Sequence, residues 1–283
     1  MGISLGESPD PTDIDRFLAE DVGTGDLTAE TLPQHLSASA TVITREPMVL
    51  CGCAWFDGVF SRLGSGVVTE WLHQEGDWIE ANEMLCRLEG PARLLMTGER
   101  TALNLLQTLS GTATLSKRYA EAVEGTTLKI LDTRKTLPGL RNAQKYAVKI
   151  GGCHNHRIGL YDGILIKENH IRAIGSITLA VEAARNLGRQ VMIEVEVESL
   201  EELDEALSAG VQRILIDEFT PAMREAAVRR SRGRAELEVS GNVRIEDLPE
   251  IARSGVDYVS IGSLTKHLRA VDLSMQVEIG AGS

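Results

Sequence analysis

Leu128-Lys129-Ile130-Leu131-Asp132-Thr133-Arg134-Lys135-Thr136-Leu137-Pro138-Gly139 is a short β-forming run that ends abruptly in polar and charged residues. The same pulse returns at residues 163–166, 190–197, 212–216, 235–239 and 257–261. Helical stretches fall between, at residues 177–187, 200–209, 221–230, 245–254 and 264–268. Repeated strand–helix alternation predicts a parallel sheet covered by helices. The strands are short and apolar, as they are when buried on both faces. No glycine-rich dinucleotide fingerprint follows the first strand, which disfavours an open doubly wound sheet. Polar residues recur at strand ends instead, as in a barrel that gathers one site from many loops.

Charge is distributed against the trend of the chain. The net charge is −12, yet residues 129–172 carry Lys129, Arg134, Lys135, Arg141, Lys145, Lys149, Arg157, Lys167 and Arg172. Only Asp132, Asp162 and Glu168 oppose them there. A cationic island in an acidic protein suits a small polyanion; nucleic acid calls for a basic domain or stripe. No apolar run spans a bilayer. The first 21 residues lack a basic-then-apolar signal pattern, so a cytoplasmic protein is expected. Cys51, Cys53, Cys86 and Cys153 form no pair of C-x-x-C motifs, so a structural zinc is not expected. Cys51 and Cys53 are expected on one face of a strand, as free, buried thiols.

The first third reads differently. Strands are expected at residues 39–44, 66–73 and 84–88, and Pro91 is expected to open a long helix through Leu109. Gly98 and Gly111 would let that helix pack closely and bridge two domains. The segment Glu75-Gly76-Asp77-Trp78-Ile79-Glu80 has the look of a biotinyl or lipoyl carrier half-barrel, but no nearby lysine would carry the group.

The chemistry-bearing residues sit at strand ends. Thr133, Arg134 and Lys135 offer a planar fork and a compact charge for carboxylate or phosphate; a solvated basic turn is the plain alternative. Asp132 would neutralise Arg134 locally. Gly151 and Gly152 precede His154, His156 and Arg157, and glycines there would let backbone approach a ligand. Lys167 ends the next strand. Glu194, Glu196 and Glu198 share one strand face and must meet cations or a metal. Asp217 ends the following strand, and acids at two successive strand ends can hold hydrated Mg²⁺. The turns Ser240-Gly241-Asn242 and Ile261-Gly262-Ser263 stand where barrels bind phosphate through backbone N–H groups. Cations, acids and phosphate loops at one mouth point to transfer chemistry on a phosphorylated sugar.

Several longer motifs are more specific: Glu99-Arg100-x-x-Leu103-Asn104, Leu109-Ser110-Gly111-Thr112-Ala113-Thr114, Thr133-Arg134-Lys135-Thr136, Gly151-Gly152-x-x-Asn155-His156-Arg157, Leu165-Ile166-Lys167-x-Asn169-His170, Glu194-Val195-Glu196 and Val239-Ser240-Gly241-Asn242. In their order and number the chain resembles the quinolinate phosphoribosyltransferases, from Gly25-Asp26-Leu27-Thr28 to Thr265-Lys266-His267. The resemblance implies an N-terminal α/β sandwich domain (residues 1–115, with the tail 270–283 packing on it) and a C-terminal incomplete (β/α) barrel (116–269). It implies transfer from phosphoribosyl pyrophosphate to quinolinate with decarboxylation, a step of NAD synthesis. It implies a homodimer in which Arg100 completes the neighbouring site, with higher assembly left open. By position, Arg134, His156, Arg157 and Lys167 would grip the quinolinate carboxylates and Lys135 the sugar-phosphate, with Thr133 also among the substrate-binding residues. Glu196 and Asp217 would face the ribose and Mg²⁺; Lys135, Lys167, Glu196 and Asp217 form the catalytic set. Ser240, Gly241, Asn242, Ile261, Gly262 and Ser263 would hold phosphate. Two positions depart from the family pattern: Cys153 where glycine is usual, and Glu218 where asparagine is common. A molybdate-transport-associated paralogue and a non-catalytic anion-binding protein are the competing expectations.

Overall fold

The computed structural model describes residues 8–279. Within these the chain divides into two compact units: residues 8–117, 137–152 and 267–279 form one, and Arg118–Thr136 with Cys153–Lys266 form the other. In chain order, α1 (Pro11–Val22), β1 (Ser37–Thr44), β2 (Met48–Val49), α2 (Cys53–Leu63), β3 (Val68–Trp71), β4 (Trp78–Ile79), β5 (Met84–Pro91) and most of α3 (Ala92–Glu121) build the first unit. β6 (Lys129–Leu131) opens the second, and α4 (Arg141–Ile150) returns to the first. Then come β7 (Gly163–Ile166), α5 (Glu168–Ile174), α6 (Ile177–Asn186), β8 (Met192–Val197), α7 (Leu200–Ser208) and β9 (Arg213–Asp217). They are followed by α8 (Pro221–Ser231), β10 (Glu236–Ser240), α9 (Leu248–Ser254), β11 (Tyr258–Ser260) and α10 (Ser263–Lys266). β12 (Leu273–Ile279) closes the chain in the first unit.

The first unit is an antiparallel sheet, ordered β12-β1-β5-β3, with helices against it. Ala38, Ala40, Val42 and Thr44 of β1 are buried while alternate residues are not, so one face of the sheet carries the core. Phe56 and Phe60 of α2 and Leu95 and Leu106 of α3 fill that core. Ala143 and Ala147 of α4 pack in the same core, so residues 137–152 lie with this unit and not in the barrel span that contains them in sequence. β12 pairs along β1, from Ala38 opposite Ile279 to Thr44 opposite Leu273.

Two local expectations need correcting. Pro91 ends β5, and α3 begins at Ala92. Cys51 and Cys53 do not share a strand: Cys51 precedes α2 and Cys53 opens it. The α2 N-terminus is capped from a distance, with Glu75 accepting from the N–H groups of Gly52 (2.6 Å) and Cys53 (3.1 Å). All four cysteines are free thiols; Cys53 alone among them is only half-buried. Gly98 and Gly111 do serve close packing. A Cβ at Gly98 would lie 2.6 Å from the Phe60 ring, and one at Gly111 would lie 2.3 Å from the Arg269 carbonyl oxygen.

The second unit is a six-stranded parallel sheet ordered β6-β11-β10-β9-β8-β7, with its own helices between consecutive strands from β7 to β11. It curls as an incomplete barrel. At the β6 edge Leu131 makes a single parallel bridge to His154. Each expected strand of this unit lies within two residues of the observed one, because two-face burial wrote its apolar run into the sequence. Among the described residues, no helix is long and apolar enough to cross a membrane.

Candidate active site

A cavity of about 320 Å³ opens in the barrel unit. Thr133, Arg134 and Lys135 enter it from the segment after β6, and His156 and Arg157 from the loop before β7. Lys167, Glu196 and Ser240 enter it from the ends of β7, β8 and β10. Eight residues singled out from sequence thus meet in one place. A second cavity of about 350 Å³, in the other unit, has Asp10 and Asp13 as its ionisable lining, the wrong sign for an anionic ligand.

The loop that carries the cations is tied down by a buried acid. Asp132 accepts from Asn155 Nδ2 (2.6 Å) and from the His156 N–H (2.9 Å). Asp132 N donates to the His154 carbonyl (3.0 Å), which extends the β6 edge. Asp132 therefore positions the His-Arg segment. Asp162 closes the next turn by accepting from the N–H groups of Ile158 and Gly159. Gly151 serves packing: a Cβ there would lie 2.3 Å from the Ala113 carbonyl oxygen of α3.

Like charges crowd the cavity. Burial first, and then the Arg134 guanidinium, lower the Arg157 pKa below its ordinary value. Arg157 Nη1 also donates to the Gly163 carbonyl (3.0 Å), which fixes its direction. Lys167 Nζ forms an ion pair with Glu196 Oε2. Lys135 is held by its backbone: its N–H donates to Thr133 Oγ1 (3.1 Å), and its carbonyl accepts from Thr265 Oγ1 (2.7 Å). A Cβ at Gly262 would sit 2.9 Å from Lys135 Cδ, so that glycine leaves room for the lysine stem.

The remaining expected residues lie around this cavity's strand ends or elsewhere. Asp217, half-buried, ends β9 and pairs in register with Ser240. Gly241 has a left-handed φ of +125°, and a Cβ there would meet Asp217 Oδ1 at 4.0 Å. Asn242 is exposed. Ile261 is buried, and its N–H donates to the Leu131 carbonyl (2.8 Å), so it belongs to the sheet. Ser263 Oγ lies 3.5 Å from the Tyr119 hydroxyl. Glu198 lies beyond the end of β8 and is exposed. Arg100 lies on α3 in the other unit, exposed, 3.8 Å from Glu99.

Residues 26–110 match the quinolinate phosphoribosyl transferase N-terminal domain, and residues 112–276 match the C-terminal domain of the same family. The chain belongs to the quinolinate phosphoribosyl transferase family. A probable nicotinate-nucleotide pyrophosphorylase [carboxylating] of Bacillus subtilis is 40% identical over 267 residues, covering 94% of this chain and 92% of that one. The Mycobacterium leprae nicotinate-nucleotide pyrophosphorylase [carboxylating] is 40% identical over 273 residues, covering 93% and 95%. The solved nicotinate-nucleotide pyrophosphorylase of Francisella tularensis superposes with a TM-score of 0.91 at 42% identity, covering 96% of this chain and 98% of that one.

The two departures from the quinolinate phosphoribosyl transferase pattern have physical readings. Glu218 has a left-handed φ of 53°. Asparagine, the residue that the resemblance leads one to expect there, tolerates that conformation better than glutamate does. Cys153 is buried, and its thiol is pushed up to about 12, mainly by burial and then by the Asp132 charge. It is an inert packing group.

Glu238 is the residue that sequence reading passed over. It lines the cavity and is fully buried, as is Glu194. His156 Nε2 lies 2.9 Å from Glu194 Oε2 and 3.6 Å from Glu238 Oε2. Strand alternation was the available signal, because Glu238 shares the face of Ser240. Burial first, and then the Glu194 charge, push Glu238 up to about 7 from its ordinary 4.5. The folded protein thus holds a proton that the unfolded chain releases. That contribution is fully present below pH 4.5 and is lost as pH rises through about 7. It is worth on the order of 3 kcal/mol. Denaturant titrations between pH 4.5 and 8 should show this decline, and Glu238→Gln should flatten it. An unchanged slope in the variant would place the proton elsewhere.

Proposed function

We propose that this cavity transfers phosphoribosyl from phosphoribosyl pyrophosphate to quinolinate and releases carbon dioxide, giving nicotinate mononucleotide and pyrophosphate. The observation that carries the reading is the meeting of Arg134, His156, Arg157 and Lys167 in one cavity, opposite Glu196. Quinolinate is a pyridine with adjacent carboxylates at C2 and C3. Guanidinium forks and an ammonium match two neighbouring carboxylates, and a dianion offsets the burial and, after it, the Arg134 repulsion that lower the Arg157 pKa. Lys135, with Thr133 beside it, contacts the phosphorylated sugar. Backbone N–H groups of the turns at Ser240, Gly241 and Asn242 and at Gly262 and Ser263 hold phosphate.

Glu196 and Asp217 are oxygen donors at the ends of neighbouring strands. Lys167 takes one oxygen of Glu196, which leaves the pair able to serve Mg²⁺, an ion that keeps waters and needs one or two protein carboxylates. When bound, Mg²⁺ neutralises charge on the departing pyrophosphate. The pyridine nitrogen displaces pyrophosphate at the anomeric carbon, where positive charge develops. Glu196 and Asp217 stabilise that charge. The nitrogen is then a pyridinium, and its positive charge stabilises the electron pair left on C2 as the C2–carboxylate bond breaks; that pair takes a proton from solvent as carbon dioxide leaves. The side chains mainly position and neutralise.

The same reading makes the enzyme a cytoplasmic homodimer with Arg100 reaching into the neighbouring subunit's site. The test is turnover of purified protein with phosphoribosyl pyrophosphate and Mg²⁺, offered quinolinate or nicotinic acid. Nicotinate mononucleotide should form from quinolinate alone. Equal turnover with nicotinic acid would rule the reading out.

A further inference from the structure

Beneath the cation cluster lies a pair of acids with no part in the mechanism above. Glu194 and Glu238 are fully buried; among the described residues Glu194 Oε1 finds no hydrogen-bond partner, and Glu238 has the Ser260 side chain beside it. Such a pair costs stability, and apolar residues of like volume would serve a merely structural core better. What the pair does face is His156. Nδ1 of His156 accepts the Arg157 N–H (2.7 Å), so the neutral ring carries its proton on Nε2. That proton points at Glu194 Oε2, 2.9 Å away, with Glu238 Oε2 behind it at 3.6 Å.

We propose that Glu194 and Glu238 are positioning residues for quinolinate: they hold the His156 ring by its Nε2–H and, through its Nδ1, fix the Arg157 backbone at the clamp. The chain of contacts runs from β10 and β8 through the imidazole to the residue whose guanidinium is aimed by Gly163. A divalent cation is the competing occupant, because the three donor atoms lie within 4.8 Å of one another. Its place at Nε2 would require the ring to give up either its only N–H or its bond from Arg157.

This inference rests on the quinolinate reading, and wild-type turnover of quinolinate checks that reading separately. Glu194→Leu and Glu238→Leu test the inference itself. Each should raise the melting temperature or leave it unchanged, and raise the quinolinate KM roughly ten- to a hundredfold. The KM for phosphoribosyl pyrophosphate should stay within about twofold, because the donor does not depend on this clamp. Glu194→Gln keeps an acceptor opposite Nε2 and should recover most of the loss, which also covers the case of a leucine variant that fails to fold. An unchanged quinolinate KM in a folded leucine variant would overturn the proposal, as would equal rises for both substrates. So would a stoichiometric metal, measured by elemental mass spectrometry, that is present in the wild type and lost in Glu238→Gln.

Discussion

Lys167→Met will lower kcat/KM for quinolinate by about 10²–10³-fold, the range expected when one partner of a desolvated charge pair is truncated. Lys167 and Glu196 pair at the cavity wall, the lysine side chain 44% exposed and that of Glu196 10% exposed. In the free protein the pair is partly open to water, so the variant should lose no more than about 1 kcal/mol of stability. With substrate bound, water is excluded and the missing charge falls on the ligand. The kinetic loss should therefore far exceed the stability loss. Lys167→Arg should not rescue, because a planar fork does not fit where a compact ammonium serves both a carboxylate partner and the ligand. Steady-state kinetics and thermal melts on the two variants check this. A Lys167→Met enzyme within tenfold of wild type would remove Lys167 from the clamp.

Arg100→Ala is the second large effect. Arg100 is exposed, and its nearest acid, Glu99, is 3.8 Å away, a pairing worth little to the fold. Its loss should leave the melting temperature in place. Activity should nevertheless fall about 10²-fold or more, because the proposed homodimer sets Arg100 against the neighbouring subunit's ligand. Mixing Arg100→Ala with Lys167→Met under conditions where dimers exchange should restore about a quarter of wild-type activity. Half the dimers are then hybrids, each with one intact site. Restoration to that level separates action in trans from action within one chain. No restoration, with exchange confirmed by mass, would place Arg100 in its own subunit's chemistry or outside it.

The barrel was legible because its signals are local. Strands buried on both faces write continuous apolar runs, and the polar residue that ends each run already marks the mouth of the site. Arg134, Lys167 and Glu196 were found that way, His156 and Arg157 from the glycines that precede them, and the structure brings all five together. What stayed hidden depends on contacts distant in sequence. Cys53, the first residue of α2, was read with Cys51 as strand because the helix cap is Glu75, more than 20 residues downstream of the N–H groups it binds. α4 lies between barrel segments in sequence yet packs Ala143 and Ala147 into the other core. Glu238 carried only a period-two hint, and its meaning comes from His156 and Glu194, which reach it from separate segments. Asp132 was read only against Arg134, and that its carboxylate also holds Asn155 and His156 across a loop was not legible.

Decarboxylation coupled to transfer tests the central claim most directly. Quinolinate labelled in the C2 carboxyl should be incubated with the enzyme, phosphoribosyl pyrophosphate and Mg²⁺, while labelled carbon dioxide, pyrophosphate and nicotinate mononucleotide are measured together. The three should appear in equal amounts, and no label should leave when phosphoribosyl pyrophosphate is withheld. Label release without the donor, or pyrophosphate formed without carbon dioxide, would contradict it.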